Sequence, residues 1–321
     1  MSNRRIFVLG SANMDLVFGL SRLPREGETL AGGDLALFPG GKGANQAYAA
    51  AKLGGNVSMI ASVGADPFGQ ALLSSLVSAG VDTGRIRTSV RPTGCACIYV
   101  LPGGENSIVI SPGANADLDP ETALSQLHDI GEGDFLLTQL ETPLETVEAA
   151  FAHAVQRGAT TILDPAPART LPAALLNNVS ILTPNQTEAG VLLDDPRLLI
   201  ETFADAERAA PQLLALGARA IMLKLGATGC LYSSSDTRGF ERADAFSVNA
   251  VDTTAAGDVF NAALAVALAE GIPIPEAMRF ANAAAAVSVT RPGAQNSAPS
   301  RADVQDILAD GHNGSSRHVH R

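Results

Sequence analysis

The chain has 321 residues and a formal net charge of −11, from 22 Lys+Arg against 33 Asp+Glu. Hydrophobic residues make up 46% and charged residues 17%, which excludes a disordered chain and leaves room for a large core without staples. The acidic balance, with no cluster of Lys and Arg, excludes a nucleic-acid binder, and no run approaches the roughly 20 apolar residues of a membrane span.

The first predicted strand is Arg5-Ile6-Phe7-Val8-Leu9-Gly10, followed closely by Asp15. The glycine-punctuated stretch from Leu16 to Gly41 reads as two or more exposed strands with turns. Lys42 to Leu53 is alanine-rich and helical, Val57 to Val63 a strand, and Gln70 to Ala79 a helix. Two β-rich runs, 95–100 and 106–110, flank Gly103-Gly104 and predict a hairpin. From residue 115 the pattern alternates: strand 134–140, helix 143–156, strand 160–164, strand 179–183, helix 201–216, strand 220–225. A further strand is predicted at Ser247–Val251, then helices over about 257–270 and 275–290. That rhythm predicts a single α/β domain over 1–321: a doubly wound, mostly parallel sheet flanked by helices. The inserts at about 16–40 and 94–111 form a small β-sheet lid, and 312–321 is expected to be an unordered tail.

The aromatic fraction is 4% with no Trp, so Ala, Val, Leu and Ile build the core, as in covered parallel sheets. Cys95, Cys97 and Cys230 make neither a disulfide framework nor a zinc spacing, and the Met1–Arg5 start is too short for a secretory signal. A reduced, cytoplasmic protein is expected. His312, His318 and His320 fall in the polar tail, while His128 and His153 stand isolated, so a histidine-based mechanism is not expected.

Ligands of open parallel sheets bind beyond the carboxyl ends of strands. Asn13, Asp15, Glu141, Asp164, Asn185, Glu188, Gly226 and Gly229 all follow predicted strands. Between the predicted strand ending at Val251 and the helix that follows lie Asp252-Thr253-Thr254-Ala255-Ala256-Gly257-Asp258. Such a turn bares backbone N–H groups at a helix N-terminus, a ready anion site, and its small side chains leave a phosphate room. Asp258 could merely complement the helix dipole. Beside a bound phosphate, however, its carboxylate has a chemical role, which is to take the proton of an attacking hydroxyl. Gly40-Gly41-Lys42-Gly43-Ala44-Asn45-Gln46 is neither a Walker A loop nor GxGxxG, but its glycines permit close backbone approach, and Lys42 and Asn45 offer donors to hydroxyls.

Six segments in this order resemble the ribokinase-like, PfkB-type carbohydrate kinases, over nearly the whole chain: 10–15, 40–47, 139–141, 183–188, 252–258 and 290–297. The resemblance implies ATP-dependent phosphorylation of D-ribose at its 5-hydroxyl, giving D-ribose 5-phosphate. Asp258 would be the general base and the amides of Ala255, Ala256 and Gly257 the anion hole. Asn13, Asp15, Gly41, Lys42, Gly43, Ala44, Asn45 and Glu141 would bind the sugar together with Asp258. Nucleotide contacts are implied at Asn185, Lys224, Leu225, Gly226, Ala227, Thr228, Gly229, Gly257 and Asn282. Mg²⁺ would lie near Glu188 through water, and K⁺ at Asp252, Thr254, Ser288, Arg291, Gly293 and Ser297, mostly through backbone carbonyls. A homodimer through the lid is implied. Three features depart from the commonest pattern: Ala256 stands where Gly is frequent, Lys224 where small polar residues are common, and Met14, on a strand, would point away from the sugar. The alternatives are a kinase of deoxyribose, fructose, a keto-deoxy sugar acid or a nucleoside, and a sugar sensor without catalysis.

Overall fold

The computed structural model describes residues 4–103, 105–237 and 239–314. Chain order runs β1 (Arg5–Leu9), β2 (Asn13–Gly19), β3 (Leu35–Gly40), α1 (Lys42–Lys52), β4 (Asn56–Gly64), α2 (Pro67–Ala79), β5 (Ile86–Ser89), β6 (Gly94–Val100) and β7 (Asn106–Ser111). Then follow α3 (Pro120–Gln126), β8 (Phe135–Thr138), α4 (Leu144–Gln156), β9 (Thr160–Leu163), α5 (Ala173–Leu176), β10 (Ile181–Leu182), α6 (Gln186–Leu192), α7 (Phe203–Leu214) and β11 (Ala220–Lys224). The chain ends with β12 (Gly229–Ser234), β13 (Glu241–Asp244), α8 (Ala256–Ala269), α9 (Ile274–Ser288) and α10 (Arg301–Gly314).

Nine strands form one sheet in the order β13-β12-β11-β10-β9-β8-β1-β4-β5. Every pairing from β11 to β5 is parallel; only β12 runs against them, pairing antiparallel with β11 and β13. The side-chain period of two sorts β1 between two cores. Ile6 and Val8 join the cluster under α1, α8 and α9, whereas Phe7 and Leu9 join the one under α3, α4 and α7. Between the sheet and its neighbours α1 and α9, α8 is buried along nearly its whole length. Its alanines let these helices approach closely.

Four strands, β3-β2-β6-β7, make the separate small sheet expected as a lid. The hairpin between β6 and β7 is antiparallel as predicted; Gly104 of its turn lies outside the described residues. Met14 on β2 is buried in the hydrophobic core. Ser247–Val251 is not a strand: it pairs with nothing in the sheet and runs as a loop, and the last strand is β13, upstream of it. The first residues of the expected tail continue α10 to Gly314, and 315–321 lie outside the described residues. No helix of the described residues is long and apolar enough to cross a membrane.

Candidate active site

The carboxyl ends of β1, β8, β9, β10 and β11 share one edge, and the N-termini of α1 and α8 meet there. At the α1 end, Gly41 has φ 88° and a Cβ on it would lie 2.6 Å from the Asn13 amide nitrogen, so only glycine fits. Glu141 Oε2 accepts from Ser11 Oγ at 2.5 Å and from the Lys42 amide at 3.1 Å, which ties the turns after β1 and β8 to α1. Asn13 Oδ1 accepts from Asn115 Nδ2 at 2.7 Å, and Asn115 Oδ1 accepts from the Ala12 amide at 2.9 Å. Asp15 fills the space above Gly40, where a Cβ would lie 2.2 Å from Asp15 Oδ2. Gly43 and Ala44 do not face the cleft: both are buried and their amides donate to Ser11, so they brace the turn.

Asp258 stands in the first turn of α8 and is buried. Its Oδ2 accepts from Asn45 Nδ2 at 3.1 Å and its Oδ1 from Gln46 Nε2 at 2.9 Å. Burial pushes its carboxyl up to about 6; Lys42 opposes the rise, Asp164 adds to it, and the Gln46 and Asn45 donors oppose it. Asp15 rises to about 7, through burial first and then the neighbouring charges of Glu141 and Asp258. Burial lowers the Lys42 ammonium, yet the carboxylates of Asp258, Asp164, Glu141 and Glu188 together hold it above its ordinary value. The cleft therefore holds a buried cation amid several acids, a setting for polyol hydroxyls and a transferring anionic group.

Ala255, the residue before α8, adopts left-handed φ 58°, and no side chain caps the helix. The expected amide cup is narrower than 255–257. Ala256 donates its N–H to Thr253 O at 3.2 Å, whereas the amides of Ala255 and Gly257 carry no hydrogen bond among the described residues. A cavity of about 460 Å³ opens beside this helix end, lined among others by Lys224, Gly226, Gly229, Phe246, Gly257 and Asn282. Ala227 also lines it, and so do Ser247, Val248 and Ala250, so the segment predicted as a strand instead forms a wall of the cavity.

Leu225 does not line the cavity but packs in the core, and the Thr228 hydroxyl turns to Glu201 O. Asn185 is likewise outside it, because its side chain caps α6. Its Oδ1 accepts from the Glu188 amide while Glu188 accepts from the Asn185 amide and Nδ2. Burial raises the Glu188 carboxyl; Lys224 opposes this and Asp164 adds to it. Asn282 Nδ2 donates to the carbonyls of Ala243 and Asp244, anchoring β13 to α9.

Asp252 ties two loops together. Its Oδ1 accepts from the Thr254 amide and hydroxyl, and its Oδ2 from the Gly293 amide at 2.8 Å. These bonds outweigh burial and hold its carboxyl below the usual range. The Arg291 guanidinium pairs with Asp303 of α10, and the hydroxyls of Ser288 and Ser297 turn to local carbonyls. Beyond the residues given a role, Ser11, Gln46 and Gln139 within the motif segments and Asn115 outside them hold the site together by side-chain bonds. Asp164, which the sequence marks only as a strand end, receives Lys224 Nζ at 3.0 Å.

Comparison with known proteins places nearly the whole chain in one family. The family model described as pfkB family carbohydrate kinase matches residues 3–301. Ribokinase of Bacillus subtilis is 41% identical over 306 residues, covering 95% of this chain and all of that one. The ribokinase structure from Thermotoga maritima matches at 38% identity with a TM-score of 0.86, covering 95% of this chain and 99% of that one. Ribokinase of Arabidopsis thaliana, solved with ribose and ATP, matches at 34% identity and a TM-score of 0.88, over 95% of this chain and 98% of that one. With a family model spanning nearly all of it and a buried acid at an uncapped helix end, this chain belongs to the pfkB family of carbohydrate kinases.

Proposed function

We propose that this kinase transfers the γ-phosphoryl group of ATP to the 5-hydroxyl of D-ribose, giving D-ribose 5-phosphate and ADP. The observation that carries the reading is the buried Asp258 carboxylate beside the uncommitted amides of Ala255 and Gly257. Ribokinases that match over nearly their full length, one of them holding ribose and ATP, support the choice of sugar.

Asp258 takes the hydroxyl proton as the sugar oxygen bonds to the γ-phosphorus and the bond to ADP breaks. A carboxyl at about 6 is ionised at neutral pH and basic enough to help. The amides of Ala255 and Gly257, with Lys42 and Lys224, stabilise charge on the transferring oxygens. Asn13, Asp15, Asn45 and Glu141 hold the sugar. Asn45 Oδ1 is buried with no partner among the described residues, a spare acceptor for a hydroxyl. Ala96 and Ile110 share the sheet face of Asp15, so the lid offers an apolar ceiling that keeps water out. Nucleotide would occupy the cavity from Gly226 to Asn282, with Leu225 and Thr228 shaping its floor from behind.

Mg²⁺, bound mainly by phosphates and water, would neutralise ATP charge. Glu188, raised by burial and beside Asp164, suits such an ion through a bridging water. K⁺ would lie against carbonyls of the two loops that Asp252 joins, which would set the entry to α8. The lid supports a homodimer. Leu16, Leu37, Cys97 and Val109 pair across its strands on the face away from Asp15, and Leu35 lies on the same side. There Leu35, Leu37 and Val109 are 49, 48 and 61% exposed. The three free cysteines support a reducing, cytoplasmic setting.

A coupled ADP-release assay over ribose, deoxyribose, fructose, a keto-deoxy sugar acid and a nucleoside tests the assignment. Ribose should give the highest kcat/KM, and Asp258→Asn should lose about 10²–10⁴-fold in turnover while still binding ribose. A different preferred sugar would refute the substrate, and near-normal turnover of the variant would refute the base.

A further inference from the structure

Gln46, the last residue of the glycine-rich junction and assigned no role there, is wholly buried and bonds to Asp258, Asp164 and Gln139. Its Nε2 donates to Asp258 Oδ1 and to Asp164 Oδ2, each at 2.9 Å. Two ionised carboxylates can only accept, so the NH₂ end of the carboxamide must lie between them. Gln46 Oε1 then faces Gln139, which donates to it from Nε2. Gln139 in turn needs the space beside Gly10, where a Cβ would fall 2.1 Å from Gln139 Oε1. On the far side, Asp164 Oδ1 receives Lys224 Nζ at 3.0 Å. That ammonium lies 3.5 Å from where a Cβ of Gly257 would stand, at the amide cup. One hydrogen-bonded chain thus links the base, a second buried acid and the cation at the phosphate side.

We propose that Gln46 is the positioning residue of the general base. It aims the Asp258 carboxylate and, by donating to both acids, offsets the repulsion between Asp258 and the Lys224-paired Asp164, while Gln139 locks the amide the right way round. This inference rests on the reading of Asp258 as base.

The charged groups around Asp258 are Lys42 from α1, Asp164 beyond β9, and Asp15 on β2. Lys224 of β11 reaches its neighbour Gly257. Removing the Gln46 donors leaves Lys42 in place but sets Asp164 against Asp258 without screening. Asp258 then holds its proton to higher pH.

The test compares the parent enzyme with Gln46→Leu, Gln139→Leu and Asp258→Asn, following kcat and kcat/KM for ribose with MgATP from about pH 5.5 to 9. In Gln46→Leu the acid limb of kcat/KM should move up by about one unit, the size of one hydrogen bond to a charged group. The loss should fall on kcat and shrink above about pH 8, with KM for ribose within about threefold. Gln139→Leu should shift the limb the same way by less. A folded Gln46→Leu enzyme with an unmoved limb, or with its loss confined to KM, overturns the proposal. If Gln46→Leu does not fold, Gln139→Leu decides by the same readout. Turnover retained in Asp258→Asn refutes the base itself, whereas loss there with unmoved limbs in both glutamine variants refutes only the role of Gln46.

Discussion

Replacing Asp15 by Asn should make the protein more stable and a worse enzyme, and the size of the gain should depend on pH. The Asp15 carboxylate makes no hydrogen bond or ion pair among the described residues, and burial with Glu141 and Asp258 nearby raises its carboxyl from 3.8 to about 7. The folded chain therefore holds a proton that the unfolded chain has released. Stability from this group is complete below about 3.8 and is lost as pH rises toward 7. A shift of about three units at 1.36 kcal/mol each amounts to roughly 4 kcal/mol. Asn does not titrate, so urea denaturation should show parent and variant nearly equal at pH 4. By about pH 8.5 the variant should lead by up to roughly 4 kcal/mol. Measured at about pH 8.5, where Asp15 is ionised, its KM for ribose should rise about 10–100-fold, because a neutral amide replaces a charged acceptor. A stability gap that does not change between the two pH values would refute the reasoning.

Asp252→Ala removes the acceptor joining the Thr254 and Gly293 amides, and should abolish stimulation of turnover by KCl over NaCl. Undiminished stimulation counts against the potassium site. Leu37→Glu with Val109→Glu should convert a dimer to a monomer in analytical ultracentrifugation, and a dimer that survives both charges rejects the lid interface.

Local signals in the sequence lead to the architecture and to the two glycine- and alanine-rich junctions. A β-rich run, a small-residue turn and an alanine-rich helix each declare themselves within about a dozen residues. The core's composition is legible, but its division in two is not, because an unbroken apolar strand such as β1 does not say which residue faces which helix layer. The braces of the site are not. Gln46 meets Asp164 across 118 positions and Gln139 across 93, and a buried glutamine in a helix looks like any other until its partners are known. Ser247–Val251 has an apolar alternation suited to a strand, but Val248 and Ala250 face a cavity rather than a sheet neighbour. Leu225 sits between residues that reach the cavity yet turns into the core, and the Thr228 hydroxyl bonds Glu201 O instead. The Ala256 amide is lost to a tight turn that only the left-handed geometry of Ala255 reveals.

Strand β2 belongs to the small sheet, yet it carries both Asn13 and Asp15. Under the proposed reading, the small sheet that covers the cleft is thus also the one that grips the sugar. Discrimination and cover would then share one strand, so a substitution on β2 that retunes hydroxyl preference would also alter how the cleft is roofed. Lineages drifting toward another pentose would move both traits together, and a broader diet would come with leakier sequestration of ATP from water.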